Sequence, residues 1–257
     1  ISVKEALQHA GLFHGQEVDV QWVHAEEIEK KGPRALLKSA SGIVVPGGFG
    51  PRGVDGMIQT ARYARENGVP YLGLCLGLQV MVVEYARNVL GLKGANSAEM
   101  DPDCEHPVVD IMPQQRSITD KGGTMRLGAY PCQLVDGTLA HKAYGLSEIS
   151  ERHRHRFELN NAYGESLENA GLLASGLSPD GELVEISEMV DHPFMLGVQF
   201  HPEFLSRPNR PHPLMKEFVS AAMKTLREGD QPSLPLGSER VGARHKTANQ
   251  HSEKIST

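Results

Sequence analysis

No part of the chain limits its fold more than Tyr71-Leu72-Gly73-Leu74-Cys75-Leu76-Gly77-Leu78-Gln79. An apolar strand runs into a cysteine with a glycine two residues away on each side, and an apolar helix follows at once. This is a cysteine version of the G-x-S-x-G elbow. The tight strand-to-helix turn lifts one side chain above the end of a sheet, and the glycines keep neighbouring backbone clear of it. A helix N-terminus behind the sulfur supplies unpaired N–H groups that favour the thiolate, the reactive form of cysteine. A cysteine standing alone is more often a small packing residue than a nucleophile. The rest of the chain decides between the two.

At 257 residues the chain has room for one large domain or two small ones. Its 39% hydrophobic and 23% charged residues are ordinary for a soluble globular protein. No apolar run approaches the roughly 20 residues of a membrane span. The start, Ile1-Ser2-Val3-Lys4-Glu5, lacks the layout of a secretory signal and enters directly on a helix pattern, as a fragment would. A net charge of −6 argues against nucleic acid or an anionic membrane as the main partner. Three cysteines, Cys75, Cys104 and Cys132, are odd in number and share no metal-type spacing. They fit a reducing compartment, with the cytoplasm as the default.

Residues 3–10 read as a helix with Val3, Ala6, Leu7 and Ala10 on one stripe and Gly11 as its stop. Val18, Val20 and Trp22 alternate with polar residues, as in a strand near a sheet edge. Residues 25–31 make a short charged helix, and 42–45 a brief strand cut off by Pro46-Gly47-Gly48-Phe49-Gly50. Residues 54–67 form a helix stopped by Gly68, 69–74 the next strand, and 78–90 the helix after the elbow. This alternation predicts an α/β fold, with a parallel sheet covered on both faces and sites outside the strands' carboxyl ends. Gly47-Gly48 and Cys75 both fall at such ends. From residue 108 shorter strand-like pieces take over, at 108–112, 124–127, 131–135, 172–175, 183–187 and 194–200. They read as a more antiparallel extension of the same domain. Residues 214–226 form a final amphipathic helix, and 229–257 read as a disordered tail whose basic stretch, 240–246, has no assigned role.

An elbow nucleophile needs a base and an orienter. His201-Pro202-Glu203 closes an apolar strand, so the imidazole can take the thiol proton and return it to a leaving group. A carboxylate two residues on can hold its tautomer. Attack on an acyl carbon also needs fixed donors for the developing oxyanion. Gly47-Gly48 offers unobstructed N–H groups, and Leu76 a second donor. Taken singly, His-Pro at a strand end is often only a turn, and Pro-Gly-Gly is a turn signal anywhere.

Together and in this order, P-G-G-F-G, G-L-C-L-G-L-Q and F-H-P-E-F resemble the class I (triad-type) glutamine amidotransferase family. The match spans most of residues 41–204. The resemblance implies a mainly parallel central sheet flanked by helices, with an antiparallel extension. It also implies a Cys75–His201–Glu203 triad that hydrolyses L-glutamine and passes ammonia to a partner domain. Gly48 and Leu76 would form the oxyanion hole. Arg52-Gly53, Ala95-Asn96-Ser97, Met125-Arg126-Leu127-Gly128 and the run Glu151-Arg152-His153-Arg154-His155-Arg156 resemble one branch of the family, the UTP-aminating one. Without the other motifs that last run would read as a solvated charged face. In that branch an N-terminal synthetase domain binds ATP, magnesium and UTP, GTP is an allosteric activator, and the intact enzyme is a homo-oligomer. The resemblance places Arg156 at the carboxylate of bound glutamine, and Gln79, Glu99, Gly47 and Phe49 among its other contacts. Arg52 would lie near the GTP effector. An ammonium, a carboxylate and an amide do call for an acid, a guanidinium and amide-reading donors. No cofactor or metal is implied in this domain.

Two departures accompany the resemblance. The strand that precedes the first helix in the family is missing, so the domain expected over 1–228 lacks its first strand. The synthetase domain is missing with it, and no G-x-x-x-x-G-K-[ST] phosphate loop occurs. The second departure is Pro51, which sits where the family pattern is variable, beside Phe49 and Arg52 where the resemblance puts the GTP effector. Two alternatives stay open: a sibling amidotransferase feeding GMP, anthranilate or carbamoyl phosphate synthesis, and a silent docking domain.

Overall fold

The computed structural model describes residues 1–111 and 125–225. In chain order its helices are α1 (Ser2–His14), α2 (Ala25–Lys31), α3 (Pro33–Leu37), α4 (Val54–Asn67), α5 (Leu76–Asn88), α6 (Leu139–Tyr144), α7 (Gly164–Asn169) and α8 (Pro213–Thr225). The strands are β1 (Ile43–Val45), β2 (Tyr71–Leu74), β3 (Ala95–Ser97), β4 (His106–Ile111), β5 (Arg126–Leu134), β6 (Glu148–His155), β7 (Phe157–Leu159), β8 (Leu172–Leu177), β9 (Val184–Met189) and β10 (Met195–Val198).

Seven strands form one sheet in the order β1-β2-β10-β9-β8-β5-β6. The first three pair in parallel, and the remaining four continue antiparallel. β2 and β10 are buried along their whole length, which is why they read as unbroken apolar runs. Tyr71 joins the core under α4 and α5, whereas Leu72 and Leu74 face α1 and α8 on the other side. Each such fully buried side chain contributes about 1.5–3 kcal/mol. A smaller sheet, β3-β4-β7, packs beside α5. The large sheet curls until β6 meets the chain leaving β10, where the His201 N–H donates to the Arg152 carbonyl at 2.8 Å.

Several expectations need correction. The first helix continues to His14, and Gly11 does not stop it. A Cβ at Gly11 would lie 2.6 Å from Val18 Cγ2 and 2.8 Å from the Gln16 carbonyl, so the returning chain requires a bare residue there. The stop is Gly15, left-handed at φ 65°. Val18, Val20 and Trp22 form no strand: the valines are half-buried against the α1–α8 core, but no backbone ladder forms there among the described residues. The pieces expected at 124–127 and 131–135 belong to one strand, β5, whose signal Gly128 and Pro131 had interrupted. Pro131 lies where β5 pairs with β6 and before its pairing with β8 begins at Gln133, so its missing N–H breaks no ladder on that side. Residues 112 and 124 and the expected 229–257 tail lie outside the described residues. β6 itself gave no apolar signal, because its inward residues are Ile149, Glu151, His153 and His155.

Candidate active site

Cys75 stands between β2 and α5 at φ 51°, ψ −101°, the one non-glycine with positive φ among the described residues. Such a conformation costs of order 1–3 kcal/mol and persists only where the surroundings enforce it. Here the enforcement is close packing. A Cβ at Gly73 would lie 2.5 Å from Gly77 backbone, and one at Gly77 would lie 2.1 Å from the Val45 carbonyl. The buried Tyr71 hydroxyl donates to the Gly77 carbonyl at 2.8 Å and ties the strand's start to the helix's first turn. The Cys75 N–H donates to the Val198 carbonyl at 2.7 Å, which fixes the elbow against β10.

His201 follows β10 directly. Its Nδ1 lies 2.9 Å from Glu203 Oε1, which leaves Nε2 for the Cys75 sulfur, and its ring stacks on Phe204. Burial opposes a charge on this imidazole, but the hydrogen bonds and charges of Cys75 and Glu203 outweigh it and lift His201 to about 9. Below that pH His201 carries its proton, a ready acid beside the sulfur.

The glycine loop seals this arrangement. A Cβ at Gly47 would meet His201 Cε1 at 2.7 Å and Cys75 Cβ at 3.4 Å, and one at Gly48 would meet Leu76 Cδ2 at 3.1 Å. Gly48 and Leu76, the expected oxyanion donors, are therefore neighbours, and the Leu76 N–H belongs to a first helical turn that lacks intrahelical partners. Glu99 reaches the same loop, where its Oε1 lies 3.5 Å from the Gly50 N–H. Arg156 is half-buried just past β6. Gln79 is buried, with Nε2 on the Phe157 carbonyl at 3.2 Å and on Gln199 Oε1 at 3.3 Å. Phe49 is 89% exposed. Arg52 lies on the surface in an ion pair with Glu26 of α2.

Three features escaped sequence reasoning. The β6 backbone walls the site, with the Arg152 carbonyl on the His201 N–H and the Arg154 carbonyl 4.0 Å from Cys75 Sγ. Gln199 Nε2 lies 3.7 Å from the same sulfur. A polar residue inside the apolar run 195–200 was the available signal. Behind β6, His153 and His155 touch at 2.9 Å beside Glu185, which pairs with Arg126, and beside Glu158. Burial, each other and Arg126 push His153 down to about 2, and burial and Arg126 push His155 down to about 3. Burial raises Glu185 to about 7 despite Arg126, and burial and Glu185 hold Glu158 well above the ordinary carboxylate range. His153, His155 and Glu185 are close enough to hold a metal ion. The Arg126 guanidinium already neutralises Glu185, however, and would repel a divalent cation there.

Residues 1–221 match the model of the family "Glutamine amidotransferase class-I". A CTP synthase of Dehalococcoides mccartyi is 62% identical over 235 residues, 91% of this chain and 43% of the relative. One from Roseiflexus castenholzii is 62% identical over 237 residues, 92% of this chain and 43% of the relative. The chain thus spans less than half the length of these curated relatives. Among solved structures, the glutaminase domain of Trypanosoma brucei CTPS with bound acivicin is 40% identical. It matches with a TM-score of 0.82 over 90% of both chains. No described helix is long and apolar enough to cross a membrane. The chain therefore belongs to the class-I glutamine amidotransferase family, as a glutaminase domain of the CTP synthase kind.

Proposed function

We propose that Cys75, His201 and Glu203 hydrolyse L-glutamine within a single domain over residues 1–228. The Cys75 sulfur bonds to the side-chain amide carbon while the carbonyl oxygen becomes an oxyanion, held by the N–H groups of Gly48 and Leu76. Collapse breaks the C–N bond. His201, oriented by Glu203, gives its proton to the departing nitrogen, and ammonia leaves. Water, deprotonated by His201, then attacks the thioester and releases glutamate and the cysteine. Glu99 and Arg156 take the substrate's ammonium and carboxylate, with Gly47, Phe49 and Gln79 completing the pocket. The relatives' names and lengths support the wider reading. An N-terminal synthetase domain would use ATP and magnesium to activate UTP, accept the ammonia and form CTP, within a cytoplasmic homo-oligomer activated by GTP near Arg52.

One observation carries the triad: a strained, glycine-cleared cysteine faces an imidazole whose far nitrogen is held by a buried carboxylate. The test is intact-mass analysis after exposure to 6-diazo-5-oxo-norleucine, beside a Cys75→Ala control. A single adduct on Cys75 that excess glutamine blocks is expected. No adduct on folded protein would overturn the reading.

A further inference from the structure

Gln199 lies fully buried between β10 and His201, and the mechanism above gives its side chain no task. Its amide direction follows from its neighbours. The Phe157 carbonyl can only accept, so Gln79 must turn its NH2 group toward it, at 3.2 Å. The same nitrogen lies 3.3 Å from Gln199, which must therefore present its carbonyl oxygen there. Gln199 consequently points its own NH2 the other way, 3.7 Å from Cys75 Sγ. A backbone carbonyl on β7 thus sets, through two buried amides, which end of Gln199 meets the sulfur.

We propose that Gln199 is a catalytic donor to the nucleophile: its Nε2–H hydrogen-bonds Cys75 as thiolate, and Gln79 fixes the donor's direction. This rests on Cys75 being the nucleophile. A donor to an anion makes a stronger bond than a donor to a neutral group, so the contact favours ionisation of the sulfur. A flipped amide would turn its oxygen on the sulfur and favour the thiol. During hydrolysis the bond weakens as the sulfur pair becomes the S–C bond, and it forms again when the thioester breaks and the thiolate departs.

Other groups also surround the sulfur. His201 with Glu203 follows β10, and the Arg154 carbonyl on β6 can accept only from the thiol. His153 and His155 lie inward on β6, backed by Glu185 of β9, Arg126 of β5 and Glu158 of β7. The N-terminal turn of α5 completes the set, while the Arg152 and Arg154 side chains are exposed. Unlike His201, Gln199 is a neutral donor whose contribution does not titrate.

The test is the pH–rate profile of Cys75 alkylation by iodoacetamide, a neutral probe that needs no substrate pocket, read by intact mass with Cys75→Ala as background. Gln199→Met should displace the profile upward by about one pH unit, roughly tenfold slower on the low-pH limb and convergent at high pH. Gln199→Glu, which replaces a donor by an acceptor, should displace it further, and Gln79→Met less but in the same direction. Loosened packing alone would lower the melting temperature without moving the midpoint. An unmoved midpoint in folded Gln199→Met overturns the proposal. Should that variant not fold, Gln79→Met decides in the same way, since it leaves Gln199 in place. A wild type whose Cys75 is inert overturns the nucleophile reading itself, whereas a reactive wild type with unmoved variants overturns only the role of Gln199.

Discussion

His201 and His153 are near neighbours, since Phe200, the residue before His201, packs edge-on against the His153 ring at 5.6 Å. Their proton affinities nevertheless diverge, to about 9 for His201 and about 2 for His153. Burial works against the charged form of both. Cys75 and Glu203 overcome it for His201, whereas His153 faces another imidazole and the Arg126 guanidinium, which deepen it. Burial alone therefore assigns no role to a histidine. The charge of its partner decides whether it becomes an acid–base group or a neutral hydrogen-bonding strut.

Removing the partner tests this most severely. Cys75→Ala should lower glutamine hydrolysis by at least about 10⁴-fold. It should also drop the His201 titration, followed by NMR, from about 9 toward the ordinary histidine range. A titration that stays near 9 would assign the whole effect to Glu203.

Glu203→Gln comes next, with a loss of about 10²–10⁴-fold in kcat, because the imidazole keeps its place and loses its orienting charge. The pH dependence has a definite sign. His201 must carry a proton to release ammonia, so wild-type kcat should fall as pH rises through about 9. In Glu203→Gln that alkaline limb should begin at lower pH, and an unmoved limb would break the link between Glu203 and the raised affinity.

Gly47→Ala probes position without touching charge. Its Cβ would stand 2.7 Å from His201 Cε1, and displacing that ring should cost about 100-fold in kcat with little change in melting temperature. Wild-type kcat would mean that the loop can retreat.

Arg126→Met should leave the other region's signature: about 3–5 kcal/mol of stability lost by urea denaturation, since Glu185 is stranded in the interior, with kcat per folded molecule changed only a fewfold. A kcat loss as large as that of Glu203→Gln would show that the two clusters act as one unit.

Much of this was legible along the chain. The elbow, the glycine loop and His201-Pro202-Glu203 each lie within a few consecutive residues at the end of an apolar strand, so local geometry places them. α2 and α4 begin and end where their sequence signals lie, for the same reason. β6 was not legible, because a strand whose inward face is Glu151, His153 and His155 has the composition of a solvated surface. Nor was the end of α1, where the chain returning through Gln16 and Val18, rather than a turn at Gly11 itself, explained that glycine.

Strand, turn and helix preferences act between residues a few positions apart, so the chain alone announces the parallel core, the elbow that carries Cys75 and the His201–Glu203 pair at the end of a neighbouring strand. Which histidines hold protons, which strand walls the pocket and which end of Gln199 meets Cys75 follow from long-range packing alone. Those outcomes depend on the joining of residues 75, 157 and 199, and of 126, 153 and 185. Such distant segments meet only when the sheet curls closed, and burial then makes each charge and amide answer to its nearest partner.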